Sequence, residues 1–273
     1  MKARRSVKPV LIILLTLCIA GTVFFSASIW SEQKNLRQAA AYHAALPTVS
    51  PIRRERLPRA SLVPLQDSKN AQPASEANTD DIEWIWTPII DFDAFRIENP
   101  DTIGWVLLEN TVINYPIVIG RDNDYYLRRL PNGESNKLGS IFMDYRNAPD
   151  FSDKITLIYG HNVNSGEMFT VLNDYENSAF YRDHPTVMIF TPEQDFEIEL
   201  IAGYKLNSAR ETPPLGFKDE AEFLDYIQHI KSRSVFTSSV EVEGDDRIVC
   251  LCTCNYSLDN GRMIIVGKLV AAG

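Results

Sequence analysis

Arg247-Ile248-Val249-Cys250-Leu251-Cys252-Thr253-Cys254 reads as a buried β-strand that ends in a cysteine. Asn255-Tyr256 follows, and after a turn a second apolar strand over residues 262–270 opens on Arg262. A thiol at a strand end suits a nucleophile, because the scaffold fixes its position while the adjoining loop leaves it open. Arg262, on the neighbouring strand, can be brought alongside it. The same pattern of a short apolar run closed by turn residues recurs upstream.

Working outward, apolar runs cover 103–108, 112–119, 140–143, 155–159, 186–191, 196–206, 247–253 and 262–270, with Pro192-Glu193-Gln194-Asp195 a clear turn between two of them. Eight short strands with few helices predict a mainly β fold, a closed barrel or a sandwich. A short capped helix is expected over 91–96, stopped by Asn99-Pro100, with further helical pieces at 125–130 and 167–181. The best defined helix spans 219–233. There Asp219 and Glu222 resemble a capping box, and Phe223, Leu224, Ile227 and Ile230 repeat at helical spacing. It lies in an insertion, 207–246, ahead of the cysteine strand.

The first third of the chain is different. Residues 10–30 are uncharged, about 31 Å as a helix and long enough to span a bilayer. Lys2, Arg4, Arg5 and Lys8 precede them, which puts residues 1–9 in the cytoplasm and everything after Trp30 outside. A cleaved secretory signal is the rival reading, and Ser26-Ala27-Ser28 supplies small residues for it. Residues 31–80 read as a juxtamembrane segment, helical at first, and a linker. Pro47, Pro51, Pro58, Pro64 and Pro73 with no aromatic residue over 47–80 cannot build a core. That linker, about 30 Å across as a coil, would give a tethered domain reach. The globular domain is expected over 81–273.

That domain is acidic, with 16 Lys+Arg against 31 Asp+Glu. Nucleic acid is therefore not an expected partner. Of the four cysteines, Cys18 lies in the apolar span and reads as a filler. The other three stand two apart on one strand, too far for unstrained bridges, so no disulfide framework is expected. A Cys-x-Cys-x-Cys metal site would need a second ligand pair, and none is present, so neither metal nor cofactor is expected.

A cysteine in an apolar strand is usually packing, and Cys250 and Cys252 keep that reading. Cys254 differs by standing at the strand end. Of the four histidines, His43 lies in the linker, His184 in a turn, and His229 off the apolar face of the 219–233 helix. Only His161 directly follows a strongly apolar strand, in a Gly160-His161-Asn162 turn. Thioester chemistry needs a thiolate, a proton donor for the departing amine and a cation or amide pair for the oxyanion. Cys254, His161 and Arg262 supply each role with no surplus.

The Ile158-Tyr159-Gly160-His161-Asn162 turn, the Cys-Leu-Cys-Thr-Cys strand end and the downstream Arg262 resemble the signature of the sortases, the cysteine transpeptidases of Gram-positive bacteria. Their usual pattern at the nucleophile is Thr-Leu-x-Thr-Cys, so Cys250 stands where threonine is common. The resemblance covers 81–273 and the N-terminal anchor. Asn99-Pro100-Asp101-Thr102-Ile103-Gly104-Trp105, Gly139-Ser140-Ile141-Phe142-Met143-Asp144 and the 219–233 helix are similar to class B members in particular. The Asp-Pro-aromatic lid and C-terminal membrane span of many pilus-building members have no counterpart.

The resemblance implies an eight-stranded sortase barrel on the outer side of the membrane. Cys254 would cleave a C-terminal sorting motif of secreted proteins after threonine. The thioester would then pass to an amine of a peptidoglycan cross-bridge or its lipid-linked precursor. His161 would move the proton, and Arg262 would hold the oxyanion or the substrate. Asn162, Thr253 and Tyr256 are expected near the substrate. A pilin-polymerising enzyme, and a thiol hydrolase using the same three residues, are the alternatives.

Overall fold

Each apolar run forms a strand, and closure of the strands brings the chemistry at their ends into one place. A computed structural model describes residues 8–45, 52–55, 84–87, 90–255, 257 and 259–272. In chain order come α1 (Lys8–Ala45), β1 (Ile52–Glu55), β2 (Trp84–Thr87), α2 (Phe92–Glu98), β3 (Thr102–Leu107), β4 (Asn114–Ile119), β5 (Ile141–Met143) and β6 (Ile155–Tyr159). Then follow α3 (Ser178–Asp183), β7 (Thr186–Phe190), β8 (Phe196–Asn207), α4 (Glu220–Ser232), β9 (Ile248–Cys254) and β10 (Gly261–Ala271).

Strands β3 to β10 close into an eight-stranded barrel in the order β10-β8-β7-β3-β4-β5-β6-β9. Neighbours are antiparallel except β4 with β5 and β6 with β9, which run parallel. Strand β4 starts at Asn114, later than the apolar run suggested. Asn110, at φ 57°, and the Leu108 N–H to Ile113 carbonyl bond of 2.9 Å form a tight turn there. Side chains on β9 alternate between two buried environments, which is why the strand is apolar throughout. Val249 and Leu251 join the main core with Val106, Ile117, Ile198 and Ile265. Cys250 and Cys252 face the other way, into a second core with Ile155, Tyr204, Ile264 and the α4 residues Phe223, Ile227 and Ile230.

The predicted caps hold α2 and α4. Asp91 accepts from the Ala94 N–H, and Asp219 from the Glu222 N–H, both at 2.9 Å. The Glu222 carboxylate reaches back to the Lys218 N–H at 2.5 Å, one residue earlier than in the usual box. The helical stretch at 167–181 is two pieces. A 3₁₀ segment over Thr170–Glu176 ends at Asn177, whose side chain caps a fresh start for α3 by accepting from Ala179 N–H. The 125–130 piece is a single 3₁₀ turn over Tyr126–Arg128.

The N-terminal third departs most from the sequence reading. Helix α1 is long and apolar enough to cross a membrane and continues unbroken to Ala45. Its last turns dock on the barrel. Ala39 is 2% exposed and joins the main core, with Leu36 and Tyr42 packed beside it. The Asn35 carbonyl accepts from Asn136 Nδ2 at 2.9 Å, and Asn35 Oδ1 from Lys137 N–H at 3.2 Å. His43, read as a linker residue, instead meets the Tyr115 ring edge-on at 5.0 Å between centroids. The juxtamembrane stretch is helical to Ala45, as expected, but packs directly on the barrel, which the sequence reading did not foresee; most of the 47–80 linker lies outside the described residues. Strands β1 and β2 also pair antiparallel, with Ile52 opposite Thr87 and Glu55 opposite Trp84.

Candidate active site

The register of three adjacent strands brings the sequence candidates together. Strands β6 and β9 are parallel, so their C-terminal ends emerge at the same end of the barrel, and Tyr159 pairs with Cys252. The Gly160 N–H continues that ladder to the Cys252 carbonyl at 3.1 Å. Two residues further on, the same register sets His161 beside Cys254. On the other side, Arg262 is the direct antiparallel partner of Cys254. Adjacent strands lie about 5 Å apart, so backbone geometry alone places imidazole, thiol and guanidinium in one row. Gly160 makes the turn possible: a Cβ there would sit 2.5 Å from Ile141 Cδ1 and 2.6 Å from the Phe169 ring.

The three barrel cysteines have different surroundings. Burial pushes the Cys250 thiol up to about 12, and it pushes Cys252 well above the ordinary thiol range, aided by the neighbouring Cys250. Both remain neutral thiols packed under α4. Cys254 lies beyond the cover of that helix and is only partly buried. It borders a cavity of about 370 Å³ with His161, Arg262, Thr253, Gly160 and Cys252. No residue of the 207–246 insertion lines this cavity, because the apolar face of α4 is spent on the second core instead.

His161 Nε2 lies 2.7 Å from the Leu127 carbonyl oxygen. That oxygen only accepts, so Nε2 carries the hydrogen and the ring is held with Nδ1 as its other nitrogen. Arg262 donates to the Gly261 carbonyl at 2.9 Å, and among the described residues it pairs with no carboxylate.

Sequence reading missed the remaining walls of the cavity: Asn123, Leu127, Phe142 and Tyr159. Asn123 and Tyr159 are fixed from behind by Asp144, whose Oδ2 accepts from Asn123 Nδ2 at 2.9 Å and the Tyr159 hydroxyl at 3.0 Å. Arg146 adds two bonds of 2.8 Å to the same carboxylate. Burial alone would raise this carboxyl, but the hydrogen bonds from Arg146, Asn123 and Tyr159 outweigh it and hold it at about 2. Only the Gly139-to-Asp144 run hinted at this region, and nothing local showed that its aspartate would anchor two walls.

Of the other candidates, Thr253 lines the cavity and is 2% exposed. Asn162 is absent from the lining; its side-chain amide donates to the Cys254 carbonyl at 2.9 Å. Tyr256 lies outside the described residues.

No protein-family model matches the chain. Among curated proteins it is similar to sortase B of Listeria monocytogenes, 42% identical over 174 residues, covering 63% of this chain and 71% of that protein. Among solved structures it is similar to the Staphylococcus aureus sortase B–substrate complex, with a TM-score of 0.64 and 31% identity over 67% of this chain and 85% of that one. A sortase B structure complexed with triglycine matches at a TM-score of 0.62 and 31% identity, over 67% of this chain and 86% of that one.

Proposed function

Because the chain belongs to the sortase family, class B, and is a cysteine transpeptidase, we propose that Cys254, His161 and Arg262 carry its reaction. Cys254, its thiol proton taken up by His161, attacks as thiolate the carbonyl carbon of a threonine in the sorting motif of a secreted protein. The tetrahedral oxyanion is met by the Arg262 guanidinium, and collapse breaks the peptide bond as His161 delivers a proton to the departing amine. The resulting thioester is attacked by an incoming amine, whose proton returns to His161. The product is an amide joining the sorted protein to the acceptor.

The observation that carries this reading is the register: Tyr159 with Cys252, and Arg262 with Cys254, set all three residues along one end of the sheet. The surrounding thiols support the choice of Cys254, since Cys250 and Cys252 are buried and held neutral. For the acceptor, a solved sortase B holding triglycine favours an oligoglycine-like amine, as in a peptidoglycan cross-bridge or its lipid-linked precursor. Helix α1 supports anchorage in the plasma membrane, with the N-terminus cytoplasmic and the barrel on the cell-wall side.

The test is mass spectrometry of the protein after exposure to a library of sorting peptides, with and without triglycine. A mass adduct on Cys254 that triglycine converts into peptide–triglycine amide is expected. Free acid as the sole product would make the protein a hydrolase. Cys254→Ala should abolish the adduct, whereas Cys250→Ser and Cys252→Ser should keep most of the turnover. An inactive, folded serine variant with Cys254 intact would count against the assignment.

A further inference from the structure

At the end of β9 the sheet runs out of backbone donors. The parallel ladder gives the Cys252 carbonyl the Gly160 N–H, and its next rung would give the Cys254 carbonyl the backbone N–H of residue 162. The chain turns at Gly160-His161 before that rung can form. In its place the Asn162 side-chain amide donates to the Cys254 carbonyl at 2.9 Å, and Asn173 Nδ2 adds a longer bond of 3.4 Å. A carbonyl oxygen only accepts, so both amides present nitrogen to it.

The second donor is itself held. Asn173 Oδ1 accepts from Asn255 Nδ2 at 2.7 Å, and the same Asn255 amide donates to Glu176 Oε1 at 3.0 Å. Glu176 pairs with Lys205 of β8 at 2.6 Å. The Asn255 N–H donates to the Gly261 carbonyl at 2.9 Å, next to Arg262. The strand end is therefore tied to the histidine turn on one side and to the Thr170–Glu176 segment on the other.

We propose that Asn162, seconded by Asn173, is a positioning residue: its amide replaces the lost ladder bond and so locks the Cys254 strand end to the turn that carries His161. The inference rests on the reading of Cys254 and His161 as the reacting pair. Asn162 does not line the cavity bordered by Cys254, His161 and Arg262, so its assigned role is the alignment of thiol and imidazole, with substrate contact as the rival that kinetics separates. Loss of alignment lowers kcat at constant KM, whereas loss of a substrate contact raises KM.

The experiment is steady-state transpeptidation by the full chain in detergent, using a fluorogenic peptide selected from the library and triglycine, for Asn162→Ala and Asn162→Asp. Aspartate keeps the size of the side chain but cannot donate. Both variants should lose about tenfold or more in kcat, the scale of about one hydrogen bond's worth of alignment, with KM within about twofold and a melting temperature lowered by no more than a few degrees. A raised KM at unchanged kcat would assign the amide to the substrate and overturn the proposal, as would wild-type kcat in both. Should neither variant fold, Asn173→Ala probes the same carbonyl; it should lose about threefold in kcat, and a wild-type value there would also overturn the clamp. Cys254→Ala run in parallel separates the two readings. Activity in that variant removes the nucleophile assignment, while its inactivity beside a wild-type Asn162→Ala removes only the clamp.

Discussion

The Arg262 guanidinium faces a cavity that holds a thiol and an imidazole, and among the described residues no carboxylate offsets its charge. Among the described residues one of its donors is spent, on the Gly261 carbonyl. A planar fork with donors to spare suits an oxyanion that forms only in the transition state. Arg262→Ala should therefore lower kcat/KM by about 10²–10³-fold, the scale of one oxyanion donor. Arg262→Lys should also be poor, because an ammonium point charge does not reproduce the fork. Peptide cleavage kinetics decide this, and a lysine variant near wild-type rate would remove the forked-donor role. At this scale the sequence was informative about placement on strands. Cys254, His161 and Arg262 each stand at a strand end. Asn123 and Tyr159 were not legible, because what fixes them is the buried Asp144 carboxylate, a partner supplied by closure of the barrel.

Helix α1 shows the same limit for an element. Its docking face carries Asn35, Leu36, Gln38, Ala39, Tyr42 and His43, at helical spacing but with too little apolar character to stand out. Asn35 and Gln38 work by bonding Asn136 and the Lys137 backbone, contacts that no periodicity reveals. By contrast, α4 was legible because its cap and its Phe223–Ile227–Ile230 stripe are both local. The docked end has a weak point in His43, whose two ring nitrogens are buried with no hydrogen-bond partner among the described residues. Burial pushes this imidazole down to about 4, against about 6.5 for a free one. The docked form binds fewer protons than the released form between those values. Docking is therefore fully stable above about pH 6.5 and loses stability as the pH falls toward 4, by about 1–2 kcal/mol at pH 5 for a partly buried ring. His43→Phe keeps the edge-on packing against Tyr115 and removes the titrating group. Its melting temperature, followed by calorimetry, should exceed that of the wild type at pH 5 and fall less between pH 7 and pH 5. An unchanged pH slope would remove His43 as the source.

For the whole molecule, closure was harder to read than content. The eight strands follow from local apolar runs, but the parallel pairings of β4 with β5 and β6 with β9 join segments far apart in sequence. The second of these puts Cys254 beside His161. Docking of α1 adds a further long-range constraint. Asn35 follows Trp30 by five residues, about 7 Å along a helix, so a membrane ending near Trp30 would lie close beneath the barrel. Ser28 and Glu32 line a cleft with Lys137 and Leu138, ahead of β5, and with Val163 and Asn164 of the loop that follows His161 and Asn162. Under the proposed anchorage α1 would set the height of the barrel, and its docked end contributes to the fold. A chain beginning at Ser31 should melt like the full chain in detergent, whereas one beginning at Leu46 exposes the surface under Leu36, Ala39 and Tyr42. That loss amounts to about 2–3 kcal/mol of apolar burial, or roughly 5–10 °C in melting temperature for a domain of this size. Equal melting temperatures for the two truncated chains would mean that the docked turns add nothing to stability, and would return residues 31–45 to the role of a simple tether.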